Sequence, residues 1–221
     1  MTVRQGRGGI LRRMPLAALA LALCLVYDGV VFIGNPLLVR GRGTAAGWLR
    51  PSSGPPAERA ANLLFAVACA LDLAGPCLVL AGRLRPLPLP RPVRRWAAAV
   101  GVAVSGANLV LAVTAQRTMG QAWRTGVAGT ELEQLVTSGP FRAVRNPVYL
   151  SLLGNCIGQS LVLATPLTPA ALATCLWALE LQTRAVEEPA LLAAHQDEFR
   201  RYAAKAGRFA PGIGRLRVRP T

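Results

Sequence analysis

Residues 145–188 read RNPVYLSLLGNCIGQSLVLATPLTPAALATCLWALELQTRAVEE, and this stretch decides the fold. It holds two apolar runs, 148–165 and 169–186, each close to the ~20 residues an α-helix needs to cross ~30 Å of hydrocarbon. Only Pro166-Leu167-Thr168-Pro169 joins them, a turn without charge, so the runs predict a tight antiparallel hairpin with both open ends on one side of a membrane. At those ends stand Arg145, Asn146 and Tyr149 on one limb and Glu187 and Glu188 on the other. Polar groups at the edge of such segments are costly, and they ask for a reason in function.

Outside the hairpin, three further apolar runs cover about 15–34, 60–81 and 96–115. Hydrophobic residues make up 52% of the chain and charged residues 16%, which places it in the membrane class. The expected fold is all-α: a multi-pass membrane helical bundle of about five transmembrane helices, followed by a C-terminal amphipathic helix. Residues 1–116 would carry the first three helices and residues 117–221 the hairpin and the last helix, together one integral membrane domain. Arg4, Arg7, Arg12 and Arg13 before the first run have the look of a signal peptide, but the run is long for one and no small-x-small cleavage site leads into polar sequence. We read it as a span.

The formal net charge of +15 does not indicate nucleic acid, because the arginines are dispersed over connecting segments with few aromatics among them. They follow membrane topology instead. Sixteen of the 25 lysines and arginines fall on the side of the hairpin's open ends, which the positive-inside bias makes cytoplasmic, with the N-terminus outside. The five cysteines lie within apolar runs and lack zinc-ligand spacing, so they read as small hydrophobes and no metal site is expected.

Packing signals sit inside the runs. Gly101 and Ser105 in the third, and Gly154 and Gly158 in the fourth, are small residues at four-residue spacing that let helix backbones approach closely. Ser151, Asn155 and Gln159 form a polar stripe beside them, while Asp28, Asp72 and Asn108 are expected to be satisfied inside the bundle. Residues 188–205 turn charged, with Leu191, Leu192, Phe199 and Tyr202 near helical spacing, which predicts an amphipathic helix lying on the membrane face or the bundle.

On a regular helix Glu180, Arg184, Glu187 and Glu188 fall within ~100° of arc, given the ~100° advance per residue. Pro147 suits the first turn of the fourth helix and pushes Asn146 into a cap position. Arg145 and Arg184 either neutralise the glutamates at the interface or join them in a ligand site.

Taken in order, these residues resemble the isoprenylcysteine carboxyl methyltransferases and the related membrane methyltransferases, including phospholipid N-methyltransferases. The resemblance covers about residues 117–211. It rests on Gly139-Pro140-Phe141-Arg142, Arg145-Asn146-Pro147-Val148-Tyr149-Leu150, Glu187-Glu188-Pro189-Ala190-Leu191, Phe199 with Tyr202, and Arg208-Phe209-Ala210-Pro211, with Gly120 and Trp123 before them. It implies S-adenosylmethionine as methyl donor, bound at the cytoplasmic hairpin ends by Arg145, Asn146, Tyr149, Leu150, Glu187, Glu188 and Tyr202. It also implies catalytic roles for Arg145 and Glu187, and a prenylated cysteine carboxylate or similar lipophilic acceptor arriving from the membrane lipid. The sequence departs from the family where Asn146 stands in place of a common histidine, Ser151 in place of glycine, and His195-Gln196 in place of Phe-Gly.

The needs of the cofactor fit the residue types. A sulfonium, an ammonium, a carboxylate and an adenosine call for anionic, cationic and polar partners together. A carboxylate acceptor, with a reference pKa near 3.5, is already ionised and needs no base, whereas an amine must first lose a proton; the only histidine, His195, lies on the amphipathic helix. This favours O-methylation. The alternatives are a phospholipid or amine N-methyltransferase, an NADPH-dependent oxidoreductase of the sterol-reductase kind, and a non-catalytic membrane scaffold. Oligomeric state is not legible.

Overall fold

The computed structural model describes residues 14–40, 54–120 and 135–216. Among them run six helices. α1 spans Met14–Asp28 and continues through a wide π turn, Gly29–Gly34, into Asn35–Arg40. α2 is Pro56–Leu80 and α3 is Arg91–Met119. A 3-10 turn at Gly139–Arg142 leads to α4, Pro147–Val162, and the hairpin returns as α5, Thr168–Gln182. A second π turn, Thr183–Glu187, joins α5 to α6, Glu188–Lys205.

Three helices are long and apolar enough to cross a membrane: α1 with its extension to Leu38, α2 and α3. The fourth and fifth expected spans are shorter than the sequence implied. α4 has 16 residues and α5 15, about 24 Å and 22 Å at 1.5 Å per residue. Only with the π turn does the α5 limb reach the length of a span. The hairpin is held by the long helices, α4 against α3 and α5 against α2, with α1 also touching α2 and α4. Large apolar side chains such as Leu38, Trp96, Val110 and Trp177 point outward, as they do where lipid is the solvent.

The α3–α4 seam is the one the small residues predicted. A Cβ added to Gly158 would lie 2.3 Å from Ser105 Oγ, and one added to Gly101 would lie 2.6 Å from the carbonyl oxygen of Gly158. Neither position can carry a side chain at this approach. The polar stripe of α4 meets α1: Tyr27 Oη and Ser151 Oγ share a 2.9 Å hydrogen bond, and the Gln159 amide, oriented to pair, accepts from the Cys24 N–H at 2.9 Å.

Both π turns precede an X-Pro step, Asn35-Pro36 and Glu188-Pro189. Asn35 and Glu188 donate their N–H five residues back, to Val30 and Thr183. Proline cannot continue that ladder, so the next carbonyl is released. In α1 that carbonyl is Val31's, and the buried Gln116 of α3 donates to it at 2.8 Å while accepting from Asn35 Nδ2 at 2.7 Å.

Candidate active site

The site forms where the α4 end of the hairpin meets the residues after α6. Asn146 has the non-helical backbone expected before Pro147 (φ −126°, ψ 67°), which starts α4 one residue later. Its side chain makes no capping bond, so it holds the cap position without spending its amide there.

The chain after α6 pairs with the segment before α4. Arg145 donates its N–H to the Gly207 carbonyl at 2.7 Å, Gly207 donates to Ala143 at 3.2 Å, and Asn146 donates to Arg208 at 3.1 Å. This is a short parallel bridge between Val144 and Gly207. Gly207 is required there, because a Cβ would lie 1.9 Å from the Ala210 carbonyl oxygen.

A buried ion cluster locks the bridge. Arg145 donates through Nη1 to the carbonyls of Ala203 and Ala206 at 3.1 and 2.7 Å, and through Nη2 to Gly214 O at 2.9 Å and Glu188 Oε1 at 2.6 Å. Arg208 grips the same carboxylate with both prongs, Nε to Oε1 and Nη2 to Oε2, each at 2.9 Å. Burial pushes the Glu188 carboxyl up, but the hydrogen bonds and charges of Arg208 and Arg145 outweigh it and hold the group below its usual range. Glu188 in turn raises Arg208.

Glu187 has a different environment. The π turn breaks the 100° spacing, so the expected common face holds for Glu180, Arg184 and Glu188 but not for Glu187. The first three are linked: Arg184 pairs with Glu180, and Arg208 lies 3.5 Å from Glu180 and also holds Glu188. Glu187 instead accepts from the hydroxyl of Tyr149, whose ring leans on Phe209 at 6.2 Å between centroids. Burial raises the Glu187 carboxyl, against the lowering effect of hydrogen bonds with Tyr149 and Gln182. No cation neutralises it among the described residues.

The seven residues singled out from sequence therefore fall into three groups. Arg145 and Glu188 are bound to one another. Tyr149 and Glu187 form a second pair, with Asn146 and Leu150 half-buried on the first turn of α4. Tyr202 is set back, donating to Phe141 O at 2.8 Å with its ring edge-on to Phe199 and its hydroxyl pushed up to about 12 by burial. His195 lies on α6 beside a break at Gln196 (φ 41°) and makes no hydrogen bond to any of them.

Three partners were not singled out as site residues. Arg208 stood within a quoted motif, but nothing local marked it as the second grip on Glu188. Gln182 and Thr183, almost fully buried, leave Oε1 and Oγ1 without partners among the described residues. Their signal was two adjacent polar residues at the end of an apolar run. Trp123, Arg124, Arg217 and Arg219, the N-terminal arginines and residues 41–53 lie outside the described residues.

Residues 96–198 carry the sequence pattern of the phospholipid methyltransferase family. The fold matches that of a eukaryotic intramembrane Ras methyltransferase, an isoprenylcysteine carboxyl methyltransferase, with a TM-score of 0.56 over 91% of this chain and 75% of that one, at 19% identity. No curated protein matches. The family read from the motifs is thus borne out, as is the helical membrane fold.

Proposed function

We propose that this chain transfers a methyl group from S-adenosylmethionine to a lipophilic acceptor that enters from the bilayer. The observation that carries this reading is the Tyr149–Glu187 pair: of two adjacent glutamates at the hairpin mouth, Glu188 is neutralised twice and Glu187 has no cation among the described residues.

The donor set fits the cofactor. Glu187 offers an anionic oxygen to the ammonium, and the side chain of Asn146, unspent in capping, offers hydrogen bonds to the ribose or base. The only guanidinium nitrogen of Arg145 without a partner among the described residues, Nε, is the cationic donor left for the carboxylate. The aromatic faces of Tyr149 and Phe209 suit a sulfonium, and Leu150 supplies apolar wall, while Tyr202 supports the site from behind through Phe141. When bound, the cofactor supplies an electrophilic methyl group; the protein's share is to align the acceptor and to strip water from it.

A prenylated cysteine carboxylate or similar acid is the first acceptor class, since it is ionised without a base and His195 does not engage the site. An amine is the second, favoured by the phospholipid methyltransferase pattern over 96–198. The arginine distribution favours a cytoplasmic site.

Equilibrium binding of radiolabelled S-adenosylmethionine to the purified protein in detergent tests the proposal. Wild type binds, and Glu187→Gln loses at least tenfold in affinity. Stabilisation by NADPH in place of S-adenosylmethionine would reassign the chain to the oxidoreductases, and binding of neither in detergent or lipid would leave a scaffold. Methyl transfer to prenylcysteine analogues against phosphatidylethanolamine separates the acceptor classes.

A further inference from the structure

Six residues beyond Tyr149 on α4, about 9 Å deeper at 1.5 Å per residue, the bundle encloses a second polar centre. Asp28 of α1 and Asp72 of α2 meet there near the middle of two membrane-length helices. One thiol touches both carboxyls: Cys24 Sγ lies 3.7 Å from Asp28 Oδ2 and 3.6 Å from Asp72 Oδ2. A thiol carries a single hydrogen, so it serves one acceptor at a time. No lysine, arginine or histidine among the described residues pairs with either aspartate.

Between the two carboxyls and α4 is a cavity of about 20 Å³, the room of roughly one water or one bare cation. Asn155 lines it. That side chain is 4% exposed, and its Oδ1 has no hydrogen-bond partner. Pro76 adds one more feature, since within α2 it withholds the N–H that would bond the main-chain carbonyl of Asp72. Three helices thus bring oxygen-bearing side chains to the lining of one small space, where the Cys24 thiol is the one side-chain donor to either aspartate among the described residues. Oxygen sets of this kind, including carbonyls freed where a membrane helix loses its ladder, suit hard cations.

We propose that the cavity bounded by Asp28, Asp72 and Asn155 binds one small monovalent cation, an alkali-metal ion or the ammonium end of an amine. Magnesium demands near-ideal octahedral coordination and keeps several waters, which this sparse oxygen set suits less well than it suits a monovalent ion. Tyr27, which also lines it, is already engaged with Ser151 and leaves the oxygens of the aspartates and Asn155 as the ligands. The site stands apart from the Tyr149–Glu187 pair and does not depend on methyl transfer.

Thermal unfolding of the purified full-length chain in detergent tests this. Sodium, potassium and methylammonium chlorides are titrated against tetraethylammonium chloride at equal ionic strength, whose cation is too large to enter. A ligand that binds only the folded state raises Tm saturably. Wild type gains several degrees with an alkali ion or with methylammonium, and whichever acts names the source of the charge. Asp72→Asn abolishes the gain, and Asn155→Leu weakens the apparent affinity at least tenfold. Where Asp72→Asn does not fold, Asp28→Asn and retention of radioactive sodium or labelled methylamine by wild type, compared with Asn155→Leu, replace it. A wild-type Tm indifferent to all three cations relative to tetraethylammonium, or an undiminished response in the variants, overturns the proposal.

Discussion

Glu188→Gln separates the two adjacent glutamates. The substitution keeps the shape of the side chain and removes the one negative charge shared by Arg145 and Arg208, whose side chains are 3% and 11% exposed. Breaking a buried ion pair from one side costs about 3–5 kcal/mol, because a charge is left without compensation. Glutamine retains one acceptor oxygen, and Arg145 keeps its three carbonyl partners, so the lower figure applies. The energy falls on the docking of residues 206–216 against 143–146. At 1.36 kcal/mol per decade, about 3 kcal/mol corresponds to roughly 150-fold more frequent opening. Hydrogen exchange on peptides covering 203–216 reads this directly, through the amides of Gly207, Arg208, Ile213 and Leu216, all bonded in the docked state. Glu187→Gln leaves that protection unchanged and loses cofactor binding instead. Exchange within fivefold of wild type in Glu188→Gln, or equal loss of protection in Glu187→Gln, would refute the division of labour.

The two glutamates also titrate in opposite directions. The Glu188 carboxyl is lowered, so its stabilisation is complete above the ordinary carboxyl pKa of about 4.3 and is lost as pH falls through its own lower value; tail protection should persist through the ordinary carboxyl range and fail only below it. The Glu187 carboxyl is raised, so affinity for S-adenosylmethionine should weaken on acidification while the tail is still docked, measured by binding at stepped pH. Gly158→Leu should destabilise the α3–α4 seam by about 1–3 kcal/mol or more through overpacking, whereas Gly106→Ala, with open space at its Cβ, should stay within about 0.5 kcal/mol of wild type in detergent unfolding. Gln116→Leu strands the Val31 carbonyl and the Asn35 amide and should cost about 1–3 kcal/mol by the same measurement.

Much of the fold was legible because it depends on neighbours in sequence. The Asn146-Pro147 start of α4 and the Gly/Ser spacing of the α3–α4 seam follow from local sterics or helical period and are present, while the short turn expected at 166–169 lies at 163–167, because α4 ends early and Thr168-Pro169 begin α5. The Glu187–Glu188 pair was recognised as a feature, yet its two roles were not separable. That separation comes from a π turn, which a 3.6-residue period hides, and from Arg208, twenty residues away and placed by a backbone bridge. Whether Arg145 neutralises a glutamate or serves a ligand stayed open in the sequence; its bonds to Glu188 and Ala203 depend on the placement of α6, and those to Ala206 and Gly214 on the fold-back of the chain after it. The depths of Asp28 and Asp72 were visible on separate helices, but their meeting at Cys24 depends on how α1 and α2 are rotated against each other.

The parallel bridge between Val144 and Gly207 sets an order of events during synthesis. α1 to α5 are complete by residue 182, but the floor under Arg145 and Glu188 is supplied only by residues 206–216. Until those residues emerge, Arg145 lacks the carbonyls of Ala206 and Gly214, and Glu188 lacks the second grip of Arg208. Chains stopped before Gly207 should therefore keep their long helices and lack the docked floor that holds Arg145 and Glu188 in place.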